Sequence, residues 1–432
     1  MQSTEHDPTY YLERAPVTRA IFYMAIPMIM SMVLDLLYNI IDAFFIGKLN
    51  NTAMLAAVTL AFPIQILLMG IGQIYGTGGG TLIPRLLGEQ DVEGARRASA
   101  VNFYLALFSG LALTVVLLPS LSPLLHLMGA GGEAFQYTHD FALIFILGSP
   151  LVILTVTLAE TVRGEGAARV AMTGMIVSVA ANILLDPIFL FVLNLNVMGA
   201  ALATVIANGL AVAYFVWYIQ RRSKVQSVRF GDFRPDKATL AAIYKIGMSA
   251  FLFAALMIVS AAMFNTYAMG YGDGVVAALG IANRIVQICE FLGVGLFAGV
   301  VPLIAYAYTA GNHARLNKVT RTTLFYFVAI TLGLGGLFLV LRQPIFGLFT
   351  TDPGVLAAGY VIMTAMLAAT LFSGFSSIIT NMFQAFGAGM QSNVIALMRG
   401  LIMIPFIFLG NYLFGLTGLI WAFPPRKSAP AC

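Results

Sequence analysis

Charged residues are scarce in this sequence. Asp, Glu, Lys and Arg make up 9% of its 432 residues, whereas hydrophobic residues make up 60%. Soluble globular domains carry roughly 25% charged residues, so the composition excludes an ordinary soluble enzyme and a separate soluble domain. Cysteine is scarce as well, because Cys289 and Cys432 are the only two. Two distant cysteines predict neither a disulfide framework nor a metal-binding cluster.

The distribution of the basic residues predicts which side of the membrane the N-terminus faces. The chain holds 23 Lys and Arg against 18 Asp and Glu, a formal net charge of +5. Nucleic-acid binding is typical of basic residues clustered on one face, whereas these lie mostly in short connections between apolar segments. We therefore expect no nucleic-acid partner. Because basic connections stay in the cytoplasm, and alternate connections counted from the N-terminus hold most Lys and Arg residues, the N-terminus is predicted to be cytoplasmic.

Long apolar segments recur along the whole chain. A transmembrane helix needs about 20 mainly apolar residues, which predicts eleven helices and the beginning of a twelfth. The eleven ranges are 18–47, 53–86, 95–119, 134–161, 168–193, 198–221, 239–269, 275–309, 315–341, 354–384 and 391–413. The twelfth begins at Gly415 and has about nine apolar residues before Pro424, too few to cross the bilayer, so it is predicted to be truncated or half-length. Prolines inside these ranges, such as Pro150, predict kinks.

The chain divides into two similar halves. Its longest polar connection, Gln220 to Lys237, lies near the middle, and PRLLGEQDVEGARR at 84–97 resembles YAYTAGNHARLNK at 306–318. With six spans each, the halves relate by an axis along the membrane normal. The predicted fold is an all-α polytopic membrane protein with two six-helix bundles. The predicted domains are an N-terminal bundle at 1–222, a cytoplasmic linker at 223–238, and a C-terminal bundle of five full spans and a partial sixth at 239–432.

The predicted first helix carries a polar stripe. Asp35 and Asp42 lie seven residues apart, which separates them by only about 20° around the helix, and Asn39 lies between them. Ionisable residues inside membrane spans are costly and are functional candidates by default. For Asp42 a function is favoured over an acid that reaches interfacial water, whereas for Asp35 hydrogen-bonded helix packing is an equal explanation.

A second polar face lies on the predicted fifth helix, where Ser178, Asn182 and Asp186 recur every four residues, and Thr204 follows on the sixth. Helix packing explains Ser178 and Thr204 equally well. Carboxylates with amide and hydroxyl neighbours suit a small cation, because hard cations take oxygen ligands, or a proton shared by two acids in a low dielectric. The sequence leaves open whether Na⁺ or H⁺ binds at Asp42 and Asp186.

In the predicted second half the charged residues farthest from the ends of the spans are Glu290, Arg284 and Arg399. Glu290 either contacts a cationic substrate or pairs with an Arg. Together with Asn39 and Ser178, these three are candidates for lining a cleft between the bundles. Glu160, near the end of the fourth helix, is expected at the membrane interface.

Four segments show a family resemblance: YNIIDAFFIG at 38–47, RGEGAARVAMTG at 163–174, ANILLDPIFLFVLNLNVMGAALATVIA at 181–207 and AALGIANRI at 277–285. Over nearly its whole length the chain resembles the multidrug and toxin extrusion (MATE) family, in its DinF/MepA-type bacterial branch. The resemblance implies that Asp42, Asp186, Asn182 and Thr204 form the cation or proton site of the N-terminal bundle. Asp35 stands where this branch is expected to carry Gln, which makes it a secondary candidate.

The resemblance also implies a function. It is secondary antiport, without a cofactor and without enzymatic chemistry, that exports small lipophilic, often cationic drugs or toxins in exchange for H⁺ or Na⁺ by alternating access. The expected setting is the inner membrane of a bacterium, with the protein as a monomer in the lipid bilayer. The alternative is a flippase of a lipid-linked precursor, which requires a cationic cavity for a pyrophosphate and has only Arg284 and Arg399 available. The sequence lacks a P-loop, which argues against ATP-driven transport.

Overall fold

The computed structural model describes residues 9–49, 51–271, 273–347, 349–350 and 352–421. Across these ranges the chain is helical apart from short connections. The helices are α1 (Thr9–Glu13), α2 (Val17–Gly47), α3 (Thr52–Gly88), α4 (Val92–Leu127), α5 (Gly132–Leu147), α6 (Ser149–Gly164), α7 (Ala168–Pro187), α8 (Asn196–Arg221), α9 (Lys237–Met269), α10 (Asp273–Thr309), α11 (His313–Val340), α12 (Arg342–Gly347), α13 (Pro353–Ala385) and α14 (Gly389–Trp421). The all-α prediction is confirmed.

The membrane-spanning helices follow the predicted ranges. In the described part of the chain ten helices are long and apolar enough to cross a membrane, and α5 and α6, which meet at a bend of 54°, are so when taken together. Apart from α14, which runs past the predicted end through a break at Gly415, the observed ends agree with the predicted ends to within a few residues except for α4. That helix continues through Pro119 and Pro123 to Leu127, eight residues beyond the predicted end, because packing in a bundle compensates for the hydrogen bonds that proline removes.

Two spans of the first bundle contain breaks next to a proline. α5 ends at Leu147 and α6 has Pro150 in its first turn; proline has no backbone N–H and disrupts a continuing helix, so the predicted kink is present here. α7 ends at Pro187 and continues as a π-helical turn, Ile188–Val192. π-Helical turns occur frequently at functional sites, and Asp186 lies two residues before the start of this one.

The last described helix, α14, is interrupted at Gly415. This residue has φ 58° and ψ −139°, a backbone conformation open to glycine because it lacks a Cβ atom. The predicted boundary between the eleventh and twelfth helices coincides with this break. The predicted end of the twelfth helix and the basic tail, residues 422–432, lie outside the described residues.

The spans form two bundles. In the first, α3 packs against α4, α5 and α6, and α7 packs against α2 and α8. In the second, α10 packs against α11 and α13, and α9 packs against α14. The bundles meet where α2 contacts α10 and where α3 contacts α9 and α10.

Glycines bring the two bundles into close contact. A Cβ atom on Gly78 of α3 would lie 2.5 Å from the carbonyl oxygen of Ile243 on α9, and one on Gly299 of α10 would lie 2.8 Å from the Cα of Ala25 on α2. Small residues allow such approaches in membrane helices. These contacts lie in the half of the molecule that also holds the connection 222–236, which we call the linker end.

The connection between α8 and α9 is docked on the first bundle. Gln226 donates a hydrogen bond of 2.8 Å to the carbonyl oxygen of Thr161, and Asp232 forms a 3.1 Å ion pair with Arg96 of α4. The Ser227 hydroxyl donates a 2.5 Å hydrogen bond to Asp232 and, with Arg96, lowers the pKa of that carboxyl below its usual range. The linker is thus held by a polar network.

The first described helix, α1, is held at the linker end by an arginine of the second bundle. The Arg315 guanidinium donates hydrogen bonds of 2.9, 3.1 and 2.8 Å to the carbonyl oxygens of Tyr11, Leu12 and Ala15. These carbonyls belong to the end of α1 and to the residues that follow it, where no further helical turn is available to satisfy them. Arg315 therefore ties the start of the chain to α11.

Candidate functional site

Three helices of the first bundle bring the predicted polar residues together. Asp186 and Asn182 lie on α7, which contacts both α2 with Asp42 and α8 with Thr204. Asp186 and Asn182 are fully buried, whereas Asp42 and Thr204 are partly buried. α2 and α8 are mostly apolar, and each places a polar side chain, Asp42 or Thr204, against one face of α7.

Hydrogen bonds join these residues through the Thr204 hydroxyl. The side-chain amide of Asn182 donates to Thr204 Oγ1 at 3.2 Å and to Asp186 Oδ1 at 3.3 Å. Tyr38 Oη and Thr204 Oγ1 form a further hydrogen bond of 3.1 Å. The carbonyl oxygen of Thr204 accepts from Asn208 Nδ2 at 2.8 Å. We call Tyr38, Asp42, Asn182, Asp186 and Thr204 the N-bundle cluster.

The cluster contains buried oxygen atoms that can accept a further ligand. Asn182 Oδ1 and Asp186 Oδ2 are buried and have no hydrogen-bond partner among the described residues. Buried polar atoms normally have partners, and an amide oxygen together with a carboxylate oxygen matches what a proton or a hard cation requires. Asp42 and Asp186 are close enough for their charges to interact. In the described residues no group of three or more His, Cys, Asp or Glu side chains is placed to hold a metal ion.

Asp35 and Ser178 occupy the edges of this arrangement. Asp35 is partly buried on α2, and its charge interacts with that of Arg163 on α6. Ser178 is partly buried one turn before Asn182 on α7. The side chains of Asn39 and Arg399 lie outside the part of the structure that is described.

A cavity of about 370 Å³ lies between the two bundles. Its wall comes from seven helices, α2, α3, α6, α9, α10, α13 and α14. Its polar lining residues are Gln73, Thr77, Thr81, Glu160, Ser249, Ser377, Thr380, Asn381 and Gln384. The volume falls within the range of small-molecule sites, roughly 300–1,000 Å³.

The cavity lining differs from the predicted cleft candidates, whose contact with a substrate stays a prediction. Glu160, expected at the interface, is its one charged lining residue among those described. Arg284, Glu290 and Ser178 are not part of its wall: Arg284 is exposed on α10, and Glu290 lies one turn before Val294, where the α10 part of the lining begins. Glu160 reaches the cavity because its neighbour α3 is rich in glycine at 76–80.

A protein-family model matches both halves of the chain. The family model described as MatE matches residues 27–188 and residues 246–409. The chain belongs to the MatE family. Because one model matches each half of the chain, the predicted internal repeat has independent support, and the predicted family is confirmed.

MatE relatives and solved structures cover almost the whole chain. The Multidrug export protein MepA of Staphylococcus aureus (strain NCTC 8325 / PS 47) is 37% identical over 420 residues, 96% of this chain and 91% of the relative. MepA of Staphylococcus haemolyticus is 36% identical over 413 residues, with the same coverage. A structure described as the outward-facing conformation of a multidrug resistance MATE family transporter of the MOP superfamily superposes with a TM-score of 0.90, at 25% identity, over 98% of this chain and 94% of that chain. The protein is therefore a multi-pass membrane protein of a transporter family.

Tyr38 is the member of the N-bundle cluster that sequence reasoning did not select. It lies four residues before Asp42, on the same face of α2, and within the segment YNIIDAFFIG. The spacing was a usable signal, because a tyrosine one turn from a membrane aspartate can carry a hydroxyl into the same polar site. It was not selected because its aromatic ring resembles the apolar side chains around it.

Proposed function

We propose that this chain is a multidrug exporter that moves small lipophilic, often cationic compounds across the bacterial plasma membrane in exchange for H⁺ or Na⁺. The observation that carries the proposal is the separation of two polar places. One is the buried N-bundle cluster, where Asn182 Oδ1 and Asp186 Oδ2 have no hydrogen-bond partner in the described part of the chain, and the other is the cavity between the bundles. Two separate polar places can hold a driving ion and a cargo, which suits an exchanger that couples them through its conformation. The names of the Staphylococcus relatives support a drug as the cargo.

The proposed mechanism is alternating access without covalent chemistry. Asp42 and Asp186 hold the coupling ion with Asn182, Thr204 and Tyr38, and the cavity holds the substrate. Ion and substrate then act on each other through the equilibrium between two states of the bundles, so each changes the affinity for the other. The proposed domains are the bundles at 1–222 and 239–432, with the N-terminus and the linker 223–238 in the cytoplasm.

The flippase alternative has less support. A pyrophosphate requires several cationic groups, whereas the charged residue that lines the described cavity is the acid Glu160. Arg284 is exposed on α10 instead. We therefore favour the exporter.

The test is ethidium efflux from energised proteoliposomes under separate pH and Na⁺ gradients. We expect Asp186→Asn to abolish gradient-driven efflux, because the amide cannot take up a proton or neutralise a cation. Glu133→Gln, an acid-to-amide change at an exposed position of α5, is the matched control and should retain full rate. Efflux by Asp186→Asn at the rate of the native chain under both gradients would contradict the proposed ion site.

A further inference from the structure

An ion pair borders the cavity between the bundles. Glu160 and Arg163 lie one turn apart on α6, and Arg163 Nη1 approaches Glu160 Oε2 to 2.6 Å. The two side chains differ in exposure: 25% of Glu160 is accessible, at the cavity wall, whereas only 4% of Arg163 is. A molecule in the cavity can therefore reach the carboxylate but not the guanidinium.

Close packing against α3 fixes the position of Glu160. A Cβ atom on Gly76 would lie 3.0 Å from Glu160 Cγ, and one on Gly80 would lie 3.0 Å from the carbonyl oxygen of Glu160. Gly80 itself is part of the cavity wall. The absence of side chains at these two positions lets α6 approach α3 closely enough for the carboxylate to reach the cavity.

The guanidinium of Arg163 is incompletely satisfied. Its Nε and Nη1 atoms are buried and make no aligned hydrogen bond with any described residue, although Nη1 is in contact with Glu160. Arginine keeps its charge in proteins, so a buried guanidinium needs a carboxylate nearby in every state of the transporter. The structure offers a second one, because the charge of Asp35 on α2 also interacts with Arg163.

We propose that Glu160 selects the charge of the substrate and that Arg163 is its displaceable counter-ion. A positively charged group in the cavity binds the Glu160 carboxylate in place of Arg163, and Asp35 then balances the charge of the guanidinium. The hydroxyl and amide groups of Thr77, Thr380 and Asn381 surround the same space and can hold polar parts of the substrate. This inference rests on the proposed function and names the residue that distinguishes cations from neutral compounds.

The proposal predicts opposite effects for the two halves of the ion pair. Glu160→Gln removes the carboxylate, so the affinity for ethidium, a monocation, should fall by about 30-fold, the lower end of the effect of removing one partner of a buried charge pair. Affinity for Nile red, a neutral lipophilic dye, should change less than about twofold. Arg163→Gln removes the competing cation, so the affinity for ethidium should rise. A residue that only stabilises the fold would not produce this change of sign.

The experiment measures fluorescence anisotropy of both dyes with the purified full-length protein in lipid nanodiscs. Glu160→Gln/Arg163→Gln keeps the net charge of the pair and provides a second variant if the single changes impair folding; it should bind ethidium weakly and Nile red normally. Glu133→Gln serves as the exposed control. Equal losses for both dyes in the variants that lack Glu160, or weaker ethidium binding in Arg163→Gln, would overturn the inference while leaving the exporter in place. Binding of neither dye by the native chain would instead reject the proposed function and the inference together.

Discussion

Gly78 offers a direct way to separate the two bundles at the linker end. A Cβ atom there would lie 2.5 Å from the carbonyl oxygen of Ile243 and 3.0 Å from its Cα. Ordinary van der Waals contact begins near 3.4 Å, so α3 and α9 would have to move apart by about 0.9 Å, the difference between these two distances. The added Cβ atom is fixed to the Gly78 backbone and meets the backbone of Ile243. No side-chain rotation can therefore relieve the contact.

The expected magnitude follows from the cost of overpacking. Adding a methyl group to a closely packed contact costs about 1–3 kcal/mol, and each 1.4 kcal/mol is a factor of ten in an equilibrium constant. Gly78→Ala should therefore disfavour the observed arrangement by roughly 5-fold to 150-fold relative to a state in which the bundles are apart at this end. The proposed alternating access supplies such a state.

Double electron–electron resonance can measure this shift. Spin labels at Glu93→Cys on α4 and Lys318→Cys on α11, both exposed positions at the linker end, report the separation of the bundles after Cys289 and Cys432 have been replaced. We expect a longer-distance population to grow in Gly78→Ala. Gly333→Ala is the control, because a Cβ atom on Gly333 of α11 meets none of the described residues within 4 Å. If Gly78→Ala and Gly333→Ala give the same distance distribution as the native chain, the contact does not control the state of the bundles.

Three further predictions concern single polar contacts. Arg315→Met removes three hydrogen bonds to carbonyl oxygens and should weaken the docking of α1 by about 3 kcal/mol, which amide exchange at residues 9–15 would show; unchanged protection would refute it. Thr204→Val removes the hydroxyl that Asn182 and Tyr38 share and should cost about 1–3 kcal/mol, seen as a lower melting temperature than that of Thr173→Val, a change at a helix position outside the cluster. Asp232→Asn should loosen the linker by up to about 1 kcal/mol, seen as faster proteolysis within 222–236. Because contacts in the folded protein lower the pKa of Asp232, its stabilisation is complete near neutral pH and should be lost only below about its ordinary value of 3.8.

Local features of the sequence were enough to predict most of the helices. Apolar runs longer than a bilayer requires have few alternatives to a helix, and polar caps mark several ends: Asn51 and Asp91 accept hydrogen bonds from the first turns of α3 and α4. The end of α4 was predicted too early because Pro119 is a helix breaker in isolation, whereas the surrounding bundle accommodates it.

The N-bundle cluster could be predicted on each helix but not between helices. The four-residue spacing of Asn182 and Asp186 places both on one face of α7. That Thr204 Oγ1 then accepts from Asn182 depends on how α8 packs on α7, which no spacing within either helix determines. The cation or proton role of Asp42 and Asp186 stays a prediction, and efflux by the variants decides it.

Glu160 was assigned to the interface because an acid near the end of an apolar segment usually reaches water. Its actual place depends on glycines that lie some eighty residues earlier in the sequence and give α6 its close contact with α3. The cavity is formed by seven helices from both halves of the chain, so its lining is a property of packing and not of any local pattern. Arg284 and Glu290 were chosen for their charge alone, and their role in a cleft stays a prediction.

The permanent charge of Arg163 has to be balanced by carboxylates, and these lie both at the cavity and in the first bundle. The guanidinium lies against Glu160 at the cavity and interacts with Asp35 on α2, and the charges of Asp35, Asp42 and Asp186 all act on Tyr38 in the N-bundle cluster. In a low dielectric an added positive charge must be balanced within a few ångströms. If a cation displaces Arg163 from Glu160 as proposed, Asp35 and the other carboxylates of the first bundle are left to balance the guanidinium, and this would favour the loss of a proton or Na⁺ bound there. In the proposed mechanism this electrostatic link would add to the coupling through the two states of the bundles.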